Sequence, residues 1–406
     1  MMVIEKEIIT TKLIEKTSSL QFIPKRLDYL LKDKKTPYNG VNLKKTYLVD
    51  IVHNLILRYY FRKENIFSLS SLILKEKYGS NYNYYMDFLV KNEIIVLIKD
   101  YFVGKNVRVY KLNETVISGE ISRFVNRDRI LLKKYKSTIE SIIENDIKTN
   151  RIDPIIKIRL IEDLFSVQID FEKSMYFLNN TIQDPDVYNK NKYSVESIKD
   201  RHIFYHFDSY GRLHTNFTIL KSFIRKNCLT INKEETDEID IKNSQPLFLS
   251  KMIDDDSNSN VNTNELNLFK YLTWNGLFYQ YIIDNSDISN KKEAKEITYK
   301  VIFGKNYSNK YDRLFKNLFP TIYRFIQVYK NKEGDYRVMS HRLQNLESEF
   351  VFNKVIKRVY ESYPHIKIFT VHDSIIFSRN YQREIKEIFD QEMDIEFIGY
   401  KYISVN

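Results

Sequence analysis

Three segments of the chain carry side chains whose types and spacing suit phosphoryl chemistry. The first is Ile366 to Phe377, where Asp373 stands beside His372 between two apolar runs. Those runs predict two strands joined at a tight turn. A carboxylate at the tip of a buried hairpin is costly unless a charge meets it, and a metal ion is the usual answer. Taken alone, His-Asp also fits a capped turn at a sheet edge. The second segment is Glu238 to Ile253. Asp240 closes a short predicted strand, and a helix is expected from about Ser244, with Pro246 in its first turn where a missing N–H costs little. An acid in that place serves as a metal ligand or as an N-terminal cap. The third segment is Lys291 to Gly304. On a helix, Lys291, Lys295, Tyr299 and Phe303 recur every four residues and share one face. A core would not bury the lysines. Cations followed by rings suit a nucleoside triphosphate, cations against phosphates and rings against base and sugar; the plainer alternative is a solvated basic stripe. Asp240 and Asp373 can meet across a sheet and together hold two magnesium ions, a pair that activates a 3′-hydroxyl and steadies a leaving pyrophosphate.

The elements that must position these groups come from 406 residues, enough for two or three domains, of which 43% are hydrophobic. The formal net charge is +11, from 64 Lys and Arg against 53 Asp and Glu, which favours a polyanionic partner because neutralised phosphates release counterions. The 31 Tyr and 26 Phe are sources of core rings and of rings that stack on bases. Cys228 is the only cysteine, which excludes an intramolecular disulfide and a cysteine-based zinc cluster; it reads as a small buried hydrophobe. No apolar run approaches the roughly 18 residues of a membrane span, and Met1 to Glu7 lacks a signal-peptide pattern. A cytoplasmic protein without membrane contact is expected. No Gly-rich phosphate loop occurs, which argues against a P-loop ATPase.

Residues 1–44 read as an irregular N-terminal arm. Over residues 45–115, helical periodicity runs from Lys45 to Arg62, a second helix starts in Ser68 to Leu74 with a serine cap, and a third covers Asn81 to Val90. Strands follow over Ile94 to Ile98 and Val107 to Leu112, with a turn at Gly104-Lys105. Three helices and a hairpin resemble a winged helix, a family that often binds DNA through its third helix and also serves for protein docking. Residues 116–200 are charged and helix-rich, with a break at Pro154 and a turn at Asp184-Pro185-Asp186. From 201 to 406 strand-like and helical segments alternate. The acids of Asp254 to Asn262 read as a solvated loop.

Together the three chemical segments resemble the motifs of the family A nucleic acid polymerases, which include bacterial DNA polymerase I and the single-subunit phage RNA polymerases. The family's middle motif is a basic residue, a Lys four on, two aromatics at further four-residue steps, and Gly; Lys291, Lys295, Tyr299, Phe303 and Gly304 fill those places, with Lys for the usual Arg at the first. Ile366 to Phe377 matches the last motif, a strand ending in His-Asp, and Asp240 matches the acid of the first. Arg212-Leu-His-Thr215 with Arg225 resembles the Arg-x-His-Thr and later Arg that precede the first motif, and Gln344 resembles a Gln that opens a helix and touches the template–primer. The resemblance covers about residues 205 to 390.

The resemblance implies an α+β right-hand polymerase: an antiparallel palm sheet and helical fingers over 201–406, a reduced helical thumb over 116–200, and the winged-helix-like domain ahead of them. Asp240 and Asp373 would bind two Mg2+ ions, with Mn2+ as a substitute. Lys295 would hold the triphosphate and protonate pyrophosphate, Lys291 would contact the γ-phosphate, and Tyr299 and Phe303 would frame the base. Arg212, His214, Arg225, Gln344 and His372 would hold the primer–template. Three departures bear on the sugar. DNA-synthesising members carry Glu five residues after the first Asp, closing the pocket to a 2′-hydroxyl, and Gln245 stands there. Phage-type RNA polymerases place Tyr where Phe303 stands, and the last motif reads His-Asp-Ser, as RNA polymerases often do, instead of His-Asp-Glu. The expected function is a small template-directed DNA polymerase of a phage or mobile element, without a proofreading exonuclease. The alternatives are a phage-type RNA polymerase or primase-polymerase, and a non-catalytic DNA-binding replication initiator.

Overall fold

The computed structural model describes residues 19–31, 35–62, 64–100, 107–117, 121–148, 151–306, 310–332 and 335–403. They form an α+β protein that is mainly helical, with small antiparallel sheets. The chain makes two compact units. The first comprises Met1–Asn145, Val167–Phe204 and Thr215–Thr230; the second comprises Asp146–Ser166, Tyr205–His214 and Ile231–Asn406. These bounds do not follow the successive segments expected, and the helical stretch 116–200 is shared by both units.

The first unit begins with β1 (Ser19–Pro24), α1 (Lys25–Leu30), β2 (Lys35–Tyr38) and β3 (Val41–Lys44). Residues 19–44 are therefore not an irregular arm. Phe22, Ile23, Leu27 and Leu43 are buried, and β1 pairs with β7 (Ile121–Asn126) from Ser19↔Asn126 to Pro24↔Ile121. The strand β1 is short, and its pairing with β7 across the sequence supplies the order. Next come α2 (Lys45–Arg62), β4 (Phe67–Leu69), α3 (Ser71–Tyr78), α4 (Tyr82–Lys91), β5 (Ile95–Lys99) and β6 (Arg108–Leu112), with sheet order β4-β6-β5. The expected helices stand close to their places. Ser68, expected near a helix start, lies in β4, and the residue at the α3 N-cap, Ser70, makes no side-chain cap bond. The turn at Gly104-Lys105 lies outside the described residues. On α2, buried Asp50 accepts from Gln21 and Tyr78, both at 2.7 Å, and pairs with Lys77 at 2.9 Å, which satisfies a charge that burial would otherwise penalise. A long helix, α5 (Arg129–Lys148), follows β7.

In the second unit, α6 (Pro154–Leu164) starts at Asp153, whose side chain accepts from the Ile155 N–H, with Pro154 at the first helical position. The chain then returns to the first unit for α7 (Phe171–Thr181) and α8 (Pro185–Lys199). The Asp184-Pro185-Asp186 turn is the capped start of α8. Strands β8 (Tyr205–Phe207) and β9 (Leu213–Thr215) pair, and α9 (Ser222–Cys228) follows, with Cys228 buried as expected.

From β10 (Glu234–Ile239) onward the chain stays in the second unit. Its helices are α10 (Ser244–Asp254), α11 (Thr263–Trp274), α12 (Phe278–Asp284), α13 (Lys291–Phe303), α14 (Lys310–Leu318), α15 (Pro320–Lys332) and α16 (Arg337–Glu349). A π-helical stretch, Phe350–Ile356, leads from α16 into α17 (Lys357–Ser362). The hairpin strands β11 (Ile368–Val371) and β12 (Ser374–Ser378) precede α18 (Gln382–Glu396). In the sheet, β12 lies between β11 and β10. Much of the phenylalanine is core: Phe248 and Phe350 pack with Phe397, and Phe269 and Phe278 pack with Phe319. No helix among the described residues is long and apolar enough to cross a membrane.

Candidate active site

The hairpin forms as its two apolar runs predict. Val371 pairs with Ser374, leaving His372 and Asp373 as a two-residue loop. Such loops twist with their strands only when a loop residue takes positive φ, a place glycine usually fills. Here His372 takes it, at φ +58°. Holding a histidine there is unfavourable unless surrounding structure enforces it, and strain of this kind gathers at functional sites. Residues β10 and β12 pair in register, Ile239 opposite Ile375, so the next residue on β10, Asp240, comes level with the loop. After Asp240 the chain bends through Asn243, at φ +52°, into α10. Asparagine tolerates that left-handed turn better than most residues.

The Asp240 and Asp373 carboxyls lie side by side, each among the groups that shift the other's titration. Ser374 and the Ile241 N–H also face Asp240 and favour its charged form. Burial, then the charges of Glu347 and Asp240, push Asp373 well above the usual carboxylate range. Burial raises Asp240 too, and the charge of Glu238 adds to it. Two carboxyls in contact, both favouring protonation, carry more negative charge than their surroundings neutralise. A divalent cation is the counter-charge such a donor set fits. Among the described residues no three His, Cys, Asp or Glu side chains form a closed cage. The other ligand positions would therefore fall to water and phosphate oxygens, the arrangement magnesium prefers.

Helix α13 has the bounds and faces its spacing predicts. Asn290 caps it by accepting from the Glu293 N–H at 2.9 Å. Ala294, Ile297, Thr298, Val301 and Ile302 are buried, while Lys291 and Lys295 are exposed and Tyr299 and Phe303 half-buried. Along the stripe, Lys295 Nζ lies 5.4 Å from the Tyr299 ring centre, and the Tyr299 and Phe303 rings are 5.2 Å apart. At its C-terminus the carbonyls of Val301 and Gly304 accept from the buried Lys330 ammonium. Burial pulls Lys330 down to about 8, and a cation there complements the helix dipole.

Tyr279 of α12 joins helix to hairpin. Its hydroxyl lies beside that of Tyr299, and burial, Tyr299 and the charge of Asp373 all raise its pKa. Lys295, Tyr299 and Tyr279 thus follow one another, with Asp373 within electrostatic reach of Tyr279. Nothing in the spacing singled out Tyr279, which is one of 31 tyrosines.

The remaining expected residues are placed unevenly. Gln245 is buried in the first turn of α10, where its Nε2 donates to Glu347. Arg212 is ion-paired with Glu347, with Nε at 3.0 Å, so its guanidinium is already engaged within the protein. His214 meets Asp208 at 2.8 Å, and its ring centre is 6.4 Å from that of His372. Against burial, hydrogen bonds from His214, Arg212 and Tyr210 hold Asp208 below its usual pKa. Gln344 lies in the middle of α16, not at a helix start, one turn before Glu347 on the same face. Arg225 belongs to α9 in the first unit, where it donates to the Leu220 carbonyl.

Glu347 is the acid that motif matching missed. It is 2% exposed and sits in the core row of α16 with Met339 and Leu343. An acid at core spacing between Leu343 and Phe350 is the signal that marks it. A cleft of about 290 Å³ also opens beside Asp240, lined by Lys242, Trp274, Asp390 and Asp394 among others. Neither Asp373 nor the α13 stripe lines it, so the site is placed at the carboxyl contact and not in the cleft. Compared with known proteins, the chain matches no protein-family model and no curated protein.

Proposed function

We propose that the second unit is a template-directed nucleotidyltransferase of the right-hand, family A type, extending a nucleic acid primer on a template. The observation that carries this reading is the side-by-side placement of Asp240 and Asp373, within electrostatic reach of Tyr279, whose hydroxyl lies beside Tyr299 on the helix face that presents Lys295. Acids and cations so arranged meet the two needs of nucleotidyl transfer, a cation site and a triphosphate cradle.

Asp240 and Asp373 would hold Mg2+, which when bound lowers the pKa of the attacking 3′-hydroxyl and balances charge on the departing pyrophosphate. Lys291 and Lys295 hold the phosphates by charge from one helix face. Tyr299 and Phe303 stack on the base. His372, at the hairpin tip beside Asp373, orients the primer terminus. The first unit is read as the part that holds nucleic acid. Its helix-strand-helix-helix-strand-strand order and β4-β6-β5 sheet support that reading, since they resemble a winged helix.

One observation favours ribonucleotide use as a second reading. With its Nε2 engaged by Glu347, Gln245 keeps Oε1 buried and without a hydrogen-bond partner among the described residues. An open buried acceptor is costly, and a 2′-hydroxyl would satisfy it. The test is extension of a labelled primer on a DNA template with magnesium, giving dNTPs and rNTPs separately. Template-dependent extension supports the reading, and the nucleotide used decides between DNA polymerase and primase or RNA polymerase. Binding of primed DNA without extension by either set overturns it in favour of a replication initiator that only binds.

A further inference from the structure

Behind the acid pair, Glu347 ties together three parts of the chain. One carboxylate oxygen accepts from Arg212 on the β8–β9 hairpin, and the other accepts from Ser244 Oγ and Gln245 Nε2. Ser244 and Gln245 open α10 just past Asp240, so this oxygen anchors the segment that carries Asp240. Glu347 is buried, so water screens its charge little from the neighbouring acid pair. A buried ion pair is a poor way to gain stability, because well-packed apolar residues often do as well or better. A charge in the core row of α16 therefore points to a role other than packing.

We propose that Glu347 is a positioning residue for the acid pair: it fixes the Asp240 segment against α16 and Arg212, and its negative charge strengthens divalent-cation binding at Asp240 and Asp373. Its kinetic consequence rests on the nucleotidyl-transfer reading; its effect on cation binding does not. Arg212 acts as the counter-charge that holds Glu347 in place.

The experiment uses the full chain and three variants. Glu347→Gln keeps the shape and removes the charge. Glu347→Asp keeps the charge on a shorter arm. The double variant Glu347→Leu with Arg212→Met removes the pair without leaving a buried charge unpaired. Mn2+ binding is followed by the electron paramagnetic resonance of the free ion, folding by thermal melting, and catalysis by single-nucleotide extension. Groups that orient metal ligands from behind typically set affinity or rate by roughly 10–100-fold. Glu347→Gln and the double variant should therefore weaken Mn2+ binding by about tenfold and lower kcat by about 100-fold, with nucleotide KM changed by less than about threefold. Glu347→Asp should recover part of the Mn2+ affinity. A purely structural role predicts a lower melting temperature with Mn2+ affinity and kcat unchanged in the folded fraction, and that result overturns the proposal. Should Glu347→Gln fail to fold, the double variant decides by the same criteria. If the wild-type protein extends no primer while Glu347→Gln still weakens Mn2+ binding, the positioning role stands and the nucleotidyl-transfer reading falls.

Discussion

Replacing Asp373 by Asn should stabilise the fold while abolishing activity. In the wild-type protein Asp373 lies beside Asp240 and is exposed to the charge of Glu347. Two unit charges about 4 Å apart repel by about 4 kcal/mol at an effective dielectric of about 20. Proton sharing and solvent contact reduce this, so a gain of about 1–3 kcal/mol is expected near pH 8 in the absence of divalent cations. The pH dependence fixes the sign. Burial, Glu347 and Asp240 push Asp373 up to about 8, from an unfolded value of about 3.9. A carboxyl raised on folding contributes its full stability below the unfolded pKa and loses it as pH rises through the folded one. The advantage of Asp373→Asn should thus be largest near pH 8, shrink steadily toward about pH 4–5, and narrow when Mg2+ neutralises the wild-type pair. Urea denaturation of both proteins in EDTA across this range, with m-values compared, measures it. A variant no more stable than wild type at pH 8, or an advantage that grows as pH falls, would refute the reasoning.

Other predictions concern the supports of the site. Asp163 accepts from the Tyr360 hydroxyl at 2.7 Å and the Ile368 N–H at 3.0 Å and pairs with Lys367 at 3.0 Å, so it anchors the start of β11. Asp163→Asn should cost about 2 kcal/mol in chemical denaturation, less than a fully buried pair because Lys367 is partly exposed. Lys330→Met leaves the Val301 and Gly304 carbonyls without their donor; it should lower stability by about 1–3 kcal/mol and speed amide exchange in the last turn of α13. Lys295→Ala should lower kcat/KM for nucleotide by at least about 100-fold while primed-DNA affinity stays within about twofold of wild type.

The local features of the site were legible in the sequence. The two-residue loop at His372-Asp373, the start of α10 at Ser244 and the bounds of α13 all follow from short-range periodicity, capping and turn chemistry. What stayed hidden depends on long-range contacts. Glu347 looks like one more acid on an amphipathic helix until Arg212, Ser244 and Gln245 converge on it. Arg212 looks like a phosphate ligand until its partner is seen. The order within residues 19–44 comes from pairing of β1 with β7, which lies far along the chain. The π-helical stretch at Phe350–Ile356 has no signature in an apolar run that suits an α-helix equally well.

The most direct measurement is pyrophosphate release coupled to single-nucleotide primer extension, by the wild-type protein and by Asp240→Asn and Lys295→Ala. The account predicts one pyrophosphate per nucleotide added, dependence on the template base and on Mg2+, loss of both products in Asp240→Asn, and a large fall in Lys295→Ala. Extension that persists in Asp240→Asn, or a folded, DNA-binding wild-type protein that releases no pyrophosphate with either dNTPs or rNTPs, would contradict it.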